Sequence, residues 1–299
     1  MQKYMKILIL GIDGMLGHKV FSQIKKNKNY EVLGTIREKN NRNILFINKF
    51  PDDIIGNIDA NNFQTIENLT SQFNSDVVIN CIGLIKQLKI SNDPIQSITL
   101  NSLFPHKLAK LCSEKEIRLI HFSTDCVFNG SKGNYLEDDS PDATDLYGRT
   151  KLLGEITYNN CITIRTSIIG HELKSKNGLL EWFLSQKIRV NGYINAIFSG
   201  FPTIEIANIL EKYIIPNKNL KGLYHVSSSP ISKYELLKLI AKTYKNDIEI
   251  IPFNNTIENR SLNSSKFKEE TGYKPPEWPE LVKKMYEDYL ESDFYVKEA

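Results

Sequence analysis

The chain has no Cys-x-x-Cys pair, and its four cysteines, Cys81, Cys112, Cys126 and Cys161, lie far apart. That spacing argues against a zinc site and against a disulfide framework. Reduced thiols in a cytoplasmic protein fit it, and no metal site is expected. No apolar run approaches the ~18 residues of a membrane span. The stretch Ile7-Leu8-Ile9-Leu10 before Gly11 is too short for the apolar part of a secretion signal. A soluble protein without membrane association is therefore expected. An excess of one charge is missing too. The net charge is +3, and the short run Lys25-Lys26-Asn27-Lys28 reads as a solvated helix end. Nucleic-acid binding is not expected. There are no internal repeats and no low-complexity stretch.

What is present is a strand-and-helix alternation. At 299 residues the chain can form one large α/β domain with a smaller appendage. Residues 6–10 are an apolar run of the kind found in buried parallel strands. Gly11, Gly14 and Gly17 follow at once, with Met15 and Leu16 between them, and residues 16–26 have helical spacing. Strand, glycine turn and helix in that order is the setting in which amides at a helix start hold a pyrophosphate. Residues 31–35 read as the second strand. An acidic residue at its end selects for NAD. Here the sequence continues Ile36-Arg37-Glu38, and Arg37 can meet a 2′-phosphate, which favours NADPH. The alternative is a surface arginine, with Glu38 selecting NADH.

Further strands are expected at 55–60, 76–81, 117–123 and 161–166, with helices at 63–73 and 94–112. Such alternation implies a Rossmann-type doubly wound parallel sheet, with ligands beyond the carboxyl ends of its strands. Gly11, Arg37, Asp59, Cys81–Gly83 and Ser123–Asp125 all fall at those ends. After about residue 170 the alternation fails, though a helix is expected at 204–213 and a short strand at 222–226. Residues 1–170 are expected to form the dinucleotide-binding part. Residues 171–299 are expected to form mainly a smaller substrate-binding lobe, with some segments returning to the first part.

The candidate chemistry lies at Tyr147 and Lys151, four residues apart and on one helix face. A tyrosine beside an ammonium can be tuned to pass a proton. A second such pair, Tyr234/Lys238, sits far past the alternation in an ordinary amphipathic pattern.

Together these residues carry a signature. Gly11-x-x-Gly14-x-x-Gly17, Asp59, Asn80-Cys81, Ser123-Thr-Asp-Cys-Val-Phe-Asn-Gly130, Tyr147-Gly-Arg-Thr-Lys151-x-x-Gly-Glu155 and Arg165-Thr166 occur in one order over residues 6–170. Phe198-Ser-Gly200-x-Pro-Thr203 and Arg260-Ser-Leu-Asn263 match more loosely. The set resembles the extended short-chain dehydrogenase/reductase superfamily, and within it the dTDP-4-dehydrorhamnose reductase family. The resemblance implies an NADPH-dependent oxidoreductase, with NADH allowed, that reduces the C4 keto group of a 4-keto-6-deoxy nucleotide sugar in deoxysugar and polysaccharide precursor synthesis. It implies that Tyr147 protonates the alkoxide, Lys151 lowers the tyrosine and binds the nicotinamide ribose, and Thr124 holds the carbonyl oxygen. Cofactor contacts would be the glycine turn (Gly11, Gly14, Met15, Leu16, Gly17), Arg37, Asp59, Ala60, Cys81, Ile82, Gly83, Asn101, Tyr147, Lys151 and Thr166. Lys86, Asp125, Cys126 and Phe198 would face the sugar. Asp59 as a loop cap and Asn101 as a helix-surface residue are the plainer alternatives. A homodimer is common in that family.

Two features depart from the family pattern. Cys126 stands where the rhamnose enzymes usually carry tyrosine, and residues 82–87 differ from their alanine-rich loop. UDP-linked or N-acetylated sugars are therefore open as substrates. A 4,6-dehydratase needs an acid where Cys126 stands. A nucleotide-sugar epimerase, or a non-catalytic NADP-binding regulatory subunit like the methionine adenosyltransferase β subunit, stays as an alternative.

Overall fold

The computed structural model describes residues 4–40, 43–158, 160–173 and 175–295. Its first strand, β1 (Met5–Leu10), is apolar on both faces because both are covered. Ile7 and Ile9 enter one core and Leu8 and Leu10 the other, all without solvent exposure. Helix α1 (Met15–Ile24) returns to β2 (Tyr30–Thr35), and α2 (Ile44–Lys49) leads to β3 (Ile54–Ile55). Helix α3 (Phe63–Phe73) precedes β4 (Val77–Asn80). Helices α4 (Pro94–Ile98) and α5 (Phe104–Glu114) precede β5 (Arg118–Phe122), and α6 (Leu146–Leu153) precedes β6 (Cys161–Arg165).

The remainder is more broken: β7 (Ile168–Ile169), α7 (Leu179–Leu184), β8 (Arg189–Tyr193), β9 (Ala196–Phe198), β10 (Phe201–Pro202) and α8 (Thr203–Ile209). Then follow β11 (Gly222–His225), β12 (Ile231–Ser232), α9 (Lys233–Tyr244), β13 (Glu249–Phe253), β14 (Glu258–Asn259), α10 (Ser265–Thr271) and α11 (Trp278–Glu291). The central sheet has seven strands in the order β11-β6-β5-β4-β1-β2-β3, and all its pairings are parallel. This is the doubly wound α/β arrangement, with its reversal of strand order between β1 and β4. Small sheets β13-β8, β12-β9-β14 and β10-β7 form the rest. Among the described residues no helix is long and apolar enough to cross a membrane.

Three local expectations are corrected. The strand at 55–60 is only Ile54–Ile55, because Asn57 takes a left-handed φ of 62° and turns the chain out of the ladder. The long helix at 94–112 is interrupted by a π turn at Thr99–Leu103. Pro105 has no N–H and its ring crowds the carbonyl of Asn101, so the turn widens. The Phe104 N–H bonds instead to the Thr99 carbonyl. The helix expected at 204–213 likewise passes into a π turn, Leu210–Ile214.

Candidate active site

The strand ends gather on one edge. Gly11 follows β1 with φ 77°, and a Cβ there would lie 2.8 Å from the Ile82 side chain, just beyond β4. Gly17 is packed still more closely. A Cβ on it would meet the Gly11 carbonyl at 2.1 Å. Helix α1 therefore starts hard against the end of β1. Its cap is Gly14, which offers no capping side chain, so the first amides of α1 are available to an anion. This cradle fits the diphosphate of a dinucleotide.

One strand further, Thr124 and Tyr147 come together. The turn Asp125–Val127 after β5 is capped by Thr124, whose hydroxyl accepts from the Cys126 N–H at 3.1 Å and donates to Asp125 Oδ1 at 3.1 Å. Helix α6 is capped by Asp145, whose carboxylate accepts the Gly148 N–H at 2.7 Å. Gly148 lets this helix approach the turn, since a Cβ would lie 2.3 Å from the Cys126 carbonyl. The preceding residue, Tyr147, is thereby set beside Thr124. Lys151 is buried one turn on. Its ammonium donates to the Phe122 carbonyl at 2.6 Å.

Burial pulls Lys151 down to about 8, and the Glu155 carboxylate works against that fall. Burial also holds the Tyr147 hydroxyl well above the phenol range, helped by Cys126 and opposed by the neighbouring Thr124 hydroxyl. The expected lowering of Tyr147 by Lys151 is thus outweighed in the protein alone, where the ammonium is turned to the Phe122 carbonyl. Tyr147 is thus held protonated.

A buried ionic scaffold lies behind this trio. Glu155 accepts from Ser123 Oγ at 2.6 Å and from both Nε and Nη2 of Arg165 at 2.8 Å. Arg165 Nη1 donates to His225 Nε2 at 3.2 Å. His225 must then carry its proton on Nδ1, which reaches the Tyr135 carbonyl at 3.0 Å. Ser123, Glu155 and Arg165 stood in the sequence signature without roles. Here they hold the end of β5 to α6, β6 and β11. The four-residue spacing of Lys151 and Glu155 was the available signal; nothing local pointed to His225.

The family model described as the RmlD substrate binding domain matches residues 5–291. The chain belongs to the RmlD substrate binding domain family. It is similar to methionine adenosyltransferase 2 subunit beta of Xenopus tropicalis, 25% identical over 252 residues, 80% of this chain and 72% of that one. It is also similar to the spore coat polysaccharide biosynthesis protein SpsK of Bacillus subtilis, 26% identical over 305 residues, 95% of this chain and 97% of that one. Among solved structures, dTDP-4-dehydrorhamnose reductase from Bacillus anthracis in complex with NADP superposes with a TM-score of 0.78. Its identity is 19%, with 95% of this chain and 99% of that one covered.

Around this RmlD-type site the remaining candidates divide. Cys81, Ile82 and Gly83 border the glycine turn and Lys151. Arg37 is exposed just past β2, and Thr166 is buried just past β6. Asp59 commits Oδ1 to the backbone N–H of Asn61, so it caps the turn before α3, and Ala60 beside it is buried. Asn101 is a buried residue and not a helix-surface one. Its amide clamps Leu84 through both backbone groups, at 2.8 and 3.1 Å, and so fixes the loop over Lys151. Lys86 is exposed and bears on Asp125 and Cys126, both half-buried. Burial raises the Asp125 carboxyl, and the Thr124 hydrogen bond, Arg260 and Lys86 oppose that rise. Phe198 is corrected: it is a core residue, 7% exposed, with its ring 5.6 Å from Trp278. The β9–β12 pairing draws it inward. Arg260 arrives instead. Its Nη1 lies 3.8 Å from Cys126 Sγ, its Nε donates to the Phe128 carbonyl at 2.8 Å, and Glu258 pairs with it.

Proposed function

We propose that the chain is an NADPH-dependent reductase of the C4 keto group of a 4-keto-6-deoxy nucleotide sugar. The observation that carries the proposal is the arrangement of Thr124, Tyr147 and Lys151 beside the glycine turn at the carboxyl ends of β1, β4 and β5. The dinucleotide, when bound, supplies the hydride. Thr124 and Tyr147 offer hydroxyls to the sugar carbonyl, and such preorganised donors stabilise the charge that develops on oxygen. Tyr147 gives its proton to that oxygen. Lys151 stabilises the phenolate left behind and holds the nicotinamide ribose. Arg37 meets the 2′-phosphate.

The spread of relatives supports one second reading. Similarity to a methionine adenosyltransferase subunit favours an NADP-binding regulatory subunit of the same fold. The test is purified protein with NADPH or NADH and a panel of dTDP- and UDP-linked 4-keto-6-deoxy sugars, N-acetylated ones included. Loss of nicotinamide absorbance with one sugar establishes the reductase. Tight NADPH binding with no oxidation across the panel refutes it in favour of the subunit or an epimerase.

A further inference from the structure

A buried hydrogen-bond chain leads from the glycine turn to the segment after α11. His18 lies on α1, four residues after Gly14, with no solvent exposure. Its Nδ1 is 2.8 Å from the Gly14 carbonyl and its Nε2 is 2.6 Å from the Tyr295 hydroxyl. A carbonyl oxygen only accepts, so Nδ1 carries the proton. Nε2 is then an acceptor and Tyr295 donates to it. Burial, with Lys19 beside it, holds the imidazole down at about 3, so this neutral form persists at working pH.

The Gly14 carbonyl belongs to the same rigid peptide plane as the Met15 N–H, and the two point in opposite directions. That carbonyl also accepts the His18 backbone N–H at 3.2 Å, and the shorter bond from the ring adds to it in holding the carbonyl inward and the Met15 amide outward. That amide is the first of those at the start of α1.

Tyr295 follows α11 and is itself fixed. Its ring stands edge-on to His18 at 5.6 Å. Lys19, paired with Asp288 at 2.6 Å, lies over it at 5.4 Å. The neighbouring Phe294 packs on Phe46 of α2 at 5.2 Å. This region ties α11 to α1 and α2, the elements that flank the glycine turn and Arg37.

We propose that Tyr295 and His18 are positioning residues for the dinucleotide. The segment after α11 sets, through His18, the Gly14–Met15 peptide and hence the affinity of the α1 amides for a diphosphate. The proposal rests on the reading of Gly11–Gly17 as a dinucleotide turn.

The experiment is an NADPH titration, followed by nicotinamide fluorescence, of the full chain and of Tyr295→Phe, His18→Phe and the double variant. The unfolding midpoint of each free protein is recorded alongside. Tyr295→Phe removes one oxygen and keeps the ring. It weakens NADPH binding three- to tenfold, with a midpoint close to that of the parent. His18→Phe weakens binding at least as much, and the double variant is no weaker than His18→Phe, because the hydroxyl acts only through the imidazole. A merely structural Tyr295 would give the reverse, a lowered midpoint with unchanged affinity, and that result overturns the proposal. Additive losses in the double variant overturn it as well. If the parent itself binds neither NADPH nor NADH, the dinucleotide reading falls, and this proposal with it.

Discussion

Lys151→Met should make the protein more stable while removing its chemistry. The lysine is buried, and its ordinary value of 10.5 falls to about 8, mainly through burial. That fall corresponds to about 3 kcal/mol against the charged form in the folded state. Methionine of similar length carries no such penalty. It does leave the Phe122 carbonyl without its donor, at a cost of about 1 kcal/mol. The net gain at pH 7 is about 2 kcal/mol. With an unfolding entropy of about 2.1 cal/mol/K per residue, this raises the thermal midpoint of a chain this long by about 3 °C. The gain has a signature in pH. Between about 8 and 10.5 the folded lysine is neutral while the unfolded one still binds its proton. Parental stability therefore climbs over that window relative to the variant, and at pH 10 the advantage of Lys151→Met vanishes. Calorimetric scans of both proteins at pH 7 and pH 10 test this. A variant that is less stable at pH 7, or a difference that does not change with pH, would refute the argument that Lys151 is held charged against its surroundings.

Other consequences follow from the same site. Tyr147→Phe removes the only proton-bearing atom of that side chain, so kcat should fall by about 10²–10⁴ with NADPH affinity within about twofold; near-normal turnover would discard Tyr147 as donor. Arg37→Ala should cut NADPH affinity about tenfold and leave NADH unchanged, as read by titration with each; equal losses for both would place the arginine elsewhere. Cofactor affinity of the parent should decline as pH rises through about 8, where Lys151 loses its proton; a flat profile in Kd from pH 7 to 9 would separate the lysine from the cofactor.

The parallel sheet was legible because buried parallel strands are written as short, mainly apolar runs between helical patterns. The strands β1, β4 and β5 lead into the residues that form the site. The glycines were legible because Gly11 and Gly17 leave no room for a Cβ. The π turn could have been read from Pro105, yet a periodic pattern continues through it, and periodicity alone cannot register one extra residue in a turn. The contacts of Asn101 were hidden for a related reason. Its partner Leu84 is 17 residues away, on a loop whose path no local pattern gives. Phe198 looked available because it lies in a turn-rich stretch. Its burial is decided by β12 and Trp278, which come 33 and 80 residues later. The seventh strand was expected at 222–226, but nothing near it says that it pairs with β6.

Arg260 shows where this limit matters for the sugar. Arg260 reaches Cys126, the position at which the sequence departs from the family pattern, from 134 residues further along the chain. The Phe128 carbonyl and Glu258 brace its guanidinium, and Gly130, with φ 88°, keeps the crossing open, since a Cβ there would press on both Arg260 and Glu258 at 3.1 Å. A phenol ring offers one hydroxyl and an apolar face; a guanidinium offers several donors and a charge. On the proposed reading, this guanidinium is the group that would meet a sugar presenting acceptor oxygens toward Cys126, such as an N-acetyl carbonyl. Loss of a charge-assisted hydrogen bond costs about 1.5–3 kcal/mol. Arg260→Ala should therefore raise the sugar KM by about 10- to 100-fold while NADPH affinity stays within about twofold. An unchanged KM would mean that Arg260 only braces the loop, and the choice of sugar would have to be sought at Lys86 and the segment around it.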